Sequence, residues 1–157
     1  MPTETTAQVV RLKGEAREVV LAEAQAVRAM AVEPATRDRL AGLIAAADDG
    51  ELDEENAEAA ESVLELGLTS GRIRALYGPG GEQAVLKTIR RLPRGRVRDE
   101  SAREVSTALA GLQGRSLDAV RIAAVGPGAY TLTLEADGVD ISIRLDGTGA
   151  RVTTVGT

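Results

Sequence analysis

Tyr130-Thr131-Leu132-Thr133-Leu134-Glu135-Ala136-Asp137-Gly138-Val139-Asp140-Ile141-Ser142-Ile143-Arg144-Leu145 decides the fold class of this chain. Tyr130, Leu132, Leu134 and Ala136 alternate with Thr131, Thr133 and Glu135, and after Asp137-Gly138 the apolar row resumes at Val139, Ile141, Ile143 and Leu145. A period of two is that of a strand with one buried face. Asp-Gly between two such runs signals a two-residue hairpin, because both turn positions need positive φ. Upstream, Val120, Ile122 and Ala124 share one face of an earlier strand that Gly126-Pro127-Gly128 ends; downstream, Asp146-Gly147-Thr148-Gly149 leads to a last strand holding Val152. The expectation is a four-stranded antiparallel meander with one apolar face. Two helices stand before it. One runs from Glu82 to Leu92 with Val85, Ile89 and Leu92 on one side; the other is opened by a Ser101/Glu104 capping box, carries Ala102, Val105, Leu109 and Leu112, and ends at Gly114. Both are expected to cover the sheet, making residues 82–157 an α2β4 domain.

Residues 1–77 read as helices. From Thr5 to Ala31, Val9, Leu12, Ala16, Val19, Ala26 and Met30 recur at spacings of three and four, with Glu23 in the one gap, the pattern of a heptad-like seam. Glu33-Pro34 breaks this helix and opens another, with Leu40, Leu43, Ile44 and Ala47 on one face, which stops at Asp49-Gly50. Asp53 caps a third helix whose inner face is Ala57, Ala60, Val63, Leu64 and Gly67. These helices are expected to form a hairpin or coiled-coil arm, to pack on the C-terminal domain, or to pair with a second copy as a homodimer. The class is therefore α+β, with Gly78-Pro79-Gly80-Gly81 (78–81) as the linker.

Composition narrows the chemistry. The 157 residues contain no cysteine and no histidine, which removes thiolate nucleophiles, disulfides, Cys/His zinc sites and the side chain suited to proton transfer near neutrality. Tyr77 and Tyr130 are the only aromatic residues, too few for the stacking platforms of single-strand nucleic-acid readers. No uninterrupted apolar run occurs in the first thirty residues, so neither a signal peptide nor a membrane span is read there, and a cytoplasmic protein is expected. No cofactor and no metal are expected. The abundance of Ala and Gly, and of Arg over Lys, is read as bacterial-like base composition.

Charge is partitioned in blocks. Residues 1–70 carry 6 basic and 15 acidic side chains, residues 71–98 carry 8 and 1, and residues 99–157 carry 5 and 8. The basic block nominates Arg72, Arg74, Lys87, Arg90, Arg91, Arg94, Arg96 and Arg98 as an anion- or partner-binding segment, with Gly80 and Gly81 as a turn whose amides face a helix start. Pro93 and Gly95 predict that the arginine run projects from a loop. The acidic tip is Asp48, Asp49, Asp53, Glu54 and Glu55. An EF-hand alignment through Gly50 puts Ala45, Ala47 and Asn56 at ligand positions and so lacks required oxygens.

Glu55-Asn56-Ala57-Glu58, then Gly67 and Gly71-Arg72-Ile73, is similar in letters and spacing to the tip and second helix of the coiled-coil domain of Gre-type transcript cleavage factors. The resemblance is local, covering 53–73, and departs from that family by one extra residue after Gly50 and a missing tyrosine. It implies a nucleoprotein-associated regulator whose tip acids, Asp53 and Glu55, place a magnesium ion in the RNA polymerase active centre. The residues themselves favour a non-enzymatic interaction or assembly protein whose basic segment docks an acidic protein partner. A nucleic-acid or other polyanion partner, and a small enzyme acting on an anionic substrate through Lys87 and Arg90, are the alternatives. No membrane partner is expected.

Overall fold

The computed structural model describes residues 9–156. They form an α+β protein with five helices, a four-stranded antiparallel sheet and a two-stranded ladder. Contacts divide it into a unit that ends at Arg96 and a unit that begins at Val97. No helix among the described residues is long and apolar enough to cross a membrane.

In the first unit, β1 (Val10–Arg11) pairs antiparallel with β2 (Glu51–Leu52), and α1 (Gly14–Met30), α2 (Pro34–Asp49), α3 (Glu54–Thr69) and α4 (Arg72–Ile89) enclose one core. Pro34 opens α2, where its missing N–H costs no hydrogen bond, and Gly50 ends it at φ 81°. Asp53 caps α3 by accepting the Asn56 amide at 2.9 Å. The faces expected for α2 and α3 are the faces buried: Leu40, Leu43 and Ala47, then Ala57, Ala60, Val63, Leu64 and Gly67.

Two expectations are corrected here. The first helix starts at Gly14, not near Thr5: Val10 and Arg11 are held in the ladder, and the Leu12 amide donates to Gly50 O at 2.9 Å, a partner local periodicity does not reveal. Thr5 to Gln8 lie outside the described residues. The buried face of α1 is Val19, Val20, Glu23 and Ala24, packed by α2, α3 and α4, whereas Met30 is 69% exposed. Gly78-Pro79-Gly80-Gly81 does not separate the two units. Gly78 (φ 65°, ψ −171°) kinks α4, and Val85, Ile89 and Leu92 beyond it join the core of the first unit rather than covering the sheet.

α5 (Pro93–Ala110) contains the boundary between the units. It begins eight residues before Ser101, so Pro93 and Gly95 belong to a helix and not to a loop. In the second unit, β3 (Leu117–Gly126), β4 (Ala129–Ala136), β5 (Val139–Asp146) and β6 (Gly149–Gly156) form the meander in that order. Asp137 (φ 48°) and Gly138 (φ 76°) make the primed hairpin turn. Val120, Leu134, Ile141 and Val155 lie opposite one another across the four strands, which places the apolar rows on one face. Val105, Ala108, Leu109 and Leu112 cover the part of it built on Ile141 and Ile143. Val120 and Ile122 on the edge strand remain exposed, Ile122 at 65%. Register shifts near both ends of β3, which blunts this edge against strand pairing.

Candidate functional site

The arginine segment separates into residues used inside the fold and residues left outside it. At the start of α5 the orphan amides of Arg94 and Gly95 donate to the Glu61 carboxylate at 3.0 and 2.7 Å, and Arg94 Nε adds a contact at 3.2 Å. Glu61 is fully buried. It caps the helix across 34 positions of sequence, the arrangement in which a negative charge meets a helix N-terminus. Arg94 also reaches Ser62 Oγ at 3.0 Å and Glu65 at 3.2 Å. Gly95 is required by packing, since a Cβ there would lie 1.8 Å from the Ile89 carbonyl oxygen.

A second buried carboxylate, Glu23, explains Arg72. Arg72 Nε lies 3.1 Å from both of its oxygens, and the Tyr77 hydroxyl donates to it at 3.1 Å. Gly67 leaves the room: a Cβ on it would approach Ile73 Cδ1 to 2.7 Å and Glu23 Oε2 to 3.1 Å. Burial pushes the Tyr77 phenol up from its ordinary value, and the hydrogen bond to Glu23 and the Glu23 charge act in the same direction, against a smaller opposing effect of Arg72.

Arg74 pairs with Glu82 at 3.7 Å, and Arg96 and Arg98 are engaged as well. Gly81 is buried, with a Cβ position 2.3 Å from Tyr77 Cβ and 3.4 Å from Glu15 Oε1, so the turn is shaped by packing and a carboxylate faces it; Gly80 is exposed. Three cations of the segment differ. The side chains of Lys87, Arg90 and Arg91 are exposed and make no hydrogen bond or ion pair with a described residue. Lys87 lies in the last turn of α4, Arg90 is its C-cap and Arg91 follows in the turn towards Pro93, so the three form a short exposed basic ridge at the end of that helix. Arg91 also lines a cleft of about 300 Å³ with Arg11, Leu12, Lys13, Ala16 and Thr88.

The acidic tip does not form one site. Asp53 is the α3 cap, and Asp48 pairs with Arg17 at 3.0 Å while Arg17 Nε donates to Ala47 O at 3.0 Å, tying α1 to the end of α2. Asp49, Glu54 and Glu55 are exposed. Among the described residues no group of three Asp or Glu side chains has a metal-holding arrangement. In the second unit, Asp146 accepts from the Thr148 hydroxyl and amide, which with Arg144 and Arg151 holds its carboxyl down at about 2.

Sequence reasoning did not nominate Arg11, Lys13, Glu23, Glu61 or Tyr77. A signal exists for the two glutamates: each interrupts an apolar face, Glu23 in α1 and Glu61 beside Ala60 and Leu64 in α3, and a charged residue on a buried face requires a partner. Arg11 and Lys13 carry no such signal, because Arg91 is distant in sequence. Comparison with protein-family models, curated proteins and solved structures finds no match.

Proposed function

We propose that this protein is a non-enzymatic interaction protein that docks an acidic segment of a protein partner on the Lys87–Arg90–Arg91 ridge. The observation that carries the reading is the division of labour within one basic segment: Arg72, Arg74 and Arg94 are satisfied by carboxylates of the same unit, while Lys87, Arg90 and Arg91 pair with no described residue. Cations at a helix C-terminus gain from the helix dipole, and that gain does not require three of them side by side. A short basic ridge that runs from the last turn of α4 into the turn after it suits an extended acidic peptide, whose carboxylates pair with each cation in turn. Exposed pairs contribute about 0 to 1 kcal/mol each, so the contact is modest in affinity and sensitive to salt.

The test is fluorescence anisotropy of a labelled Asp/Glu-rich peptide and of a single-stranded RNA at about 50 mM salt. The peptide is expected to bind, and the K87Q/R90Q/R91Q variant to bind it about tenfold more weakly, three pairs at roughly 0.5 kcal/mol each. An RNA that binds more tightly than the peptide, with a steep dependence on salt, overturns the protein-docking reading in favour of a phosphate backbone. A peptide that does not bind overturns it outright.

A further inference from the structure

We infer that the cleft between the start of α1 and the end of α4 binds the phosphate group of a phosphate monoester, with Arg11, Lys13 and Arg91 as its recognising side chains. The inference deepens the docking proposal, with which it shares Arg91.

Three cations are mounted around one concavity on backbone that is anchored. Arg11 and Lys13 flank Leu12, which is buried and donates its amide to Gly50 O at 2.9 Å, and Arg11 stands opposite Glu51 in the ladder. The Arg91 backbone is held by its N–H, which donates to Thr88 O at 2.9 Å, and by buried Leu92 beside it. An anion entering the cleft therefore meets backbone positions already fixed, and the ordering left to binding is that of three long exposed side chains. Among the described residues no carboxylate lines the cleft. Glu51 holds Arg11 from the side at 3.2 Å, but both side chains are more than half exposed, so this pair yields readily to a better acceptor.

The remaining lining sharpens the ligand. The Thr88 hydroxyl donates to Ala84 O at 2.9 Å and has no proton to offer, which leaves recognition to the cations. Lys13 is the N-cap of α1 and supplies no side-chain cap, so the positive end of that helix adds to the same field, offset in part by Glu15 in its first turn. A carboxylate would neutralise one charge of three. A phosphate monoester carries about −1.5 to −2 near neutrality and three acceptor oxygens, which matches two planar guanidinium forks and one ammonium. A cleft of about 300 Å³ lies at the small end of ligand sites, so the phosphate carries a short substituent, as phosphoserine does.

The test is isothermal titration calorimetry of the whole chain at constant ionic strength with O-phosphoserine, inorganic phosphate, acetate and a phosphoserine peptide. O-phosphoserine and phosphate are expected to bind about tenfold more tightly than acetate, from the second charge, and K13Q to weaken them about fivefold. Affinity for O-phosphoserine should rise from about pH 5 to about pH 7 as its second proton leaves. Among the described residues the charged groups on the segments around the cleft are Arg11, Lys13, Glu15, Arg17, Asp49, Glu51, Lys87, Arg90 and Arg91, and the chain has no histidine to titrate in that range. Equal affinities for phosphate and acetate, or indifference to K13Q, overturn the inference. If R90Q weakens the acidic peptide while phosphate does not bind, the cleft inference falls and the docking reading stands; if phosphate binds and the acidic peptide does not, the reverse holds. A phosphopeptide that binds more tightly than free phosphate identifies a phosphoprotein as the source, and equal binding identifies a small phosphate ester; both support the chemistry of the cleft.

Discussion

Replacing Glu61 by Gln keeps the shape of the side chain and removes one charge from the centre of the first unit. In the wild type the buried carboxylate accepts from the amides of Gly95 and Arg94 at 2.7 and 3.0 Å and from Arg94 Nε at 3.2 Å. A neutral amide has one acceptor oxygen, so its NH2 group must face a donor and leave one N–H of α5 unpaired. Hydrogen bonds to charged groups contribute about 1.5 to 3 kcal/mol each, and a buried donor left unpaired costs about 1 to 3 kcal/mol. E61Q is therefore expected to cost about 3 kcal/mol, a fall in Tm on the order of 15 °C for a unit of this size. Arg94→Ala keeps both amide hydrogen bonds to the buried Glu61 carboxylate and removes a guanidinium that is half exposed; with that contact discounted for its exposure, the change should cost about 1 to 2 kcal/mol, less than E61Q. Urea unfolding followed by far-ultraviolet circular dichroism measures both, since a chain with no tryptophan and two tyrosines gives little fluorescence signal. R94A as damaging as E61Q would show that the ion pair, not the helix cap, is what Glu61 provides, and E61Q within about 1 kcal/mol of wild type would refute the capping account.

Two titrations test the electrostatics. With Tyr130 replaced by Phe, ultraviolet absorbance reads Tyr77 alone, and its midpoint should lie above 10; because the folded value is raised, the contribution to stability is complete below the unfolded value and is lost as pH rises through the folded one, and a midpoint at or below 10 contradicts the contact with Glu23. The Asp146 carboxyl carbon, followed by NMR, should titrate near 2; its folded value is depressed, so its contribution is present above the ordinary carboxylate value of about 4 and is lost as pH falls through about 2, and a midpoint of about 4 would mean that Thr148 does not hold it.

What was legible in the sequence was local. The period-two rows of β4 and β5 and the Asp137-Gly138 turn needed only neighbouring residues to be read, and the same is true of Pro34 and Gly50 at the ends of α2 and of Asp53 at the start of α3. What was not legible depends on partners far along the chain. Gly95 reads as a helix breaker, yet it begins a helix because Glu61 fills its amide and the Ile89 carbonyl leaves no space for a Cβ. Gly78-Pro79-Gly80-Gly81 reads as a linker, yet Val85 and Ile89 carry the chain back into the same core, and Gly81 is small because Tyr77 packs on it. The heptad-like pattern runs through Val9 and Met30, both exposed; Val9 lies before the ladder with β2, a distant partner that delays the helix start to Gly14, and Met30 ends the helix off its buried face. The basic segment was legible as a charge block; which of its cations are used internally was not, because Glu23 and Glu61 lie 49 and 33 positions from Arg72 and Arg94.

The central claim, that Lys87, Arg90 and Arg91 form a docking ridge rather than part of a diffuse field, is tested most directly by two variants of equal charge. K87Q/R90Q/R91Q removes the ridge, and R103Q/R121Q/R151Q removes three cations of the second unit that pair with Asp99, Glu135 and Asp146. Affinity for the acidic peptide at about 50 mM salt should fall about tenfold in the first variant and less than about twofold in the second. Equal losses in the two would contradict the account, because they would assign the attraction to net charge and leave the ridge without a role.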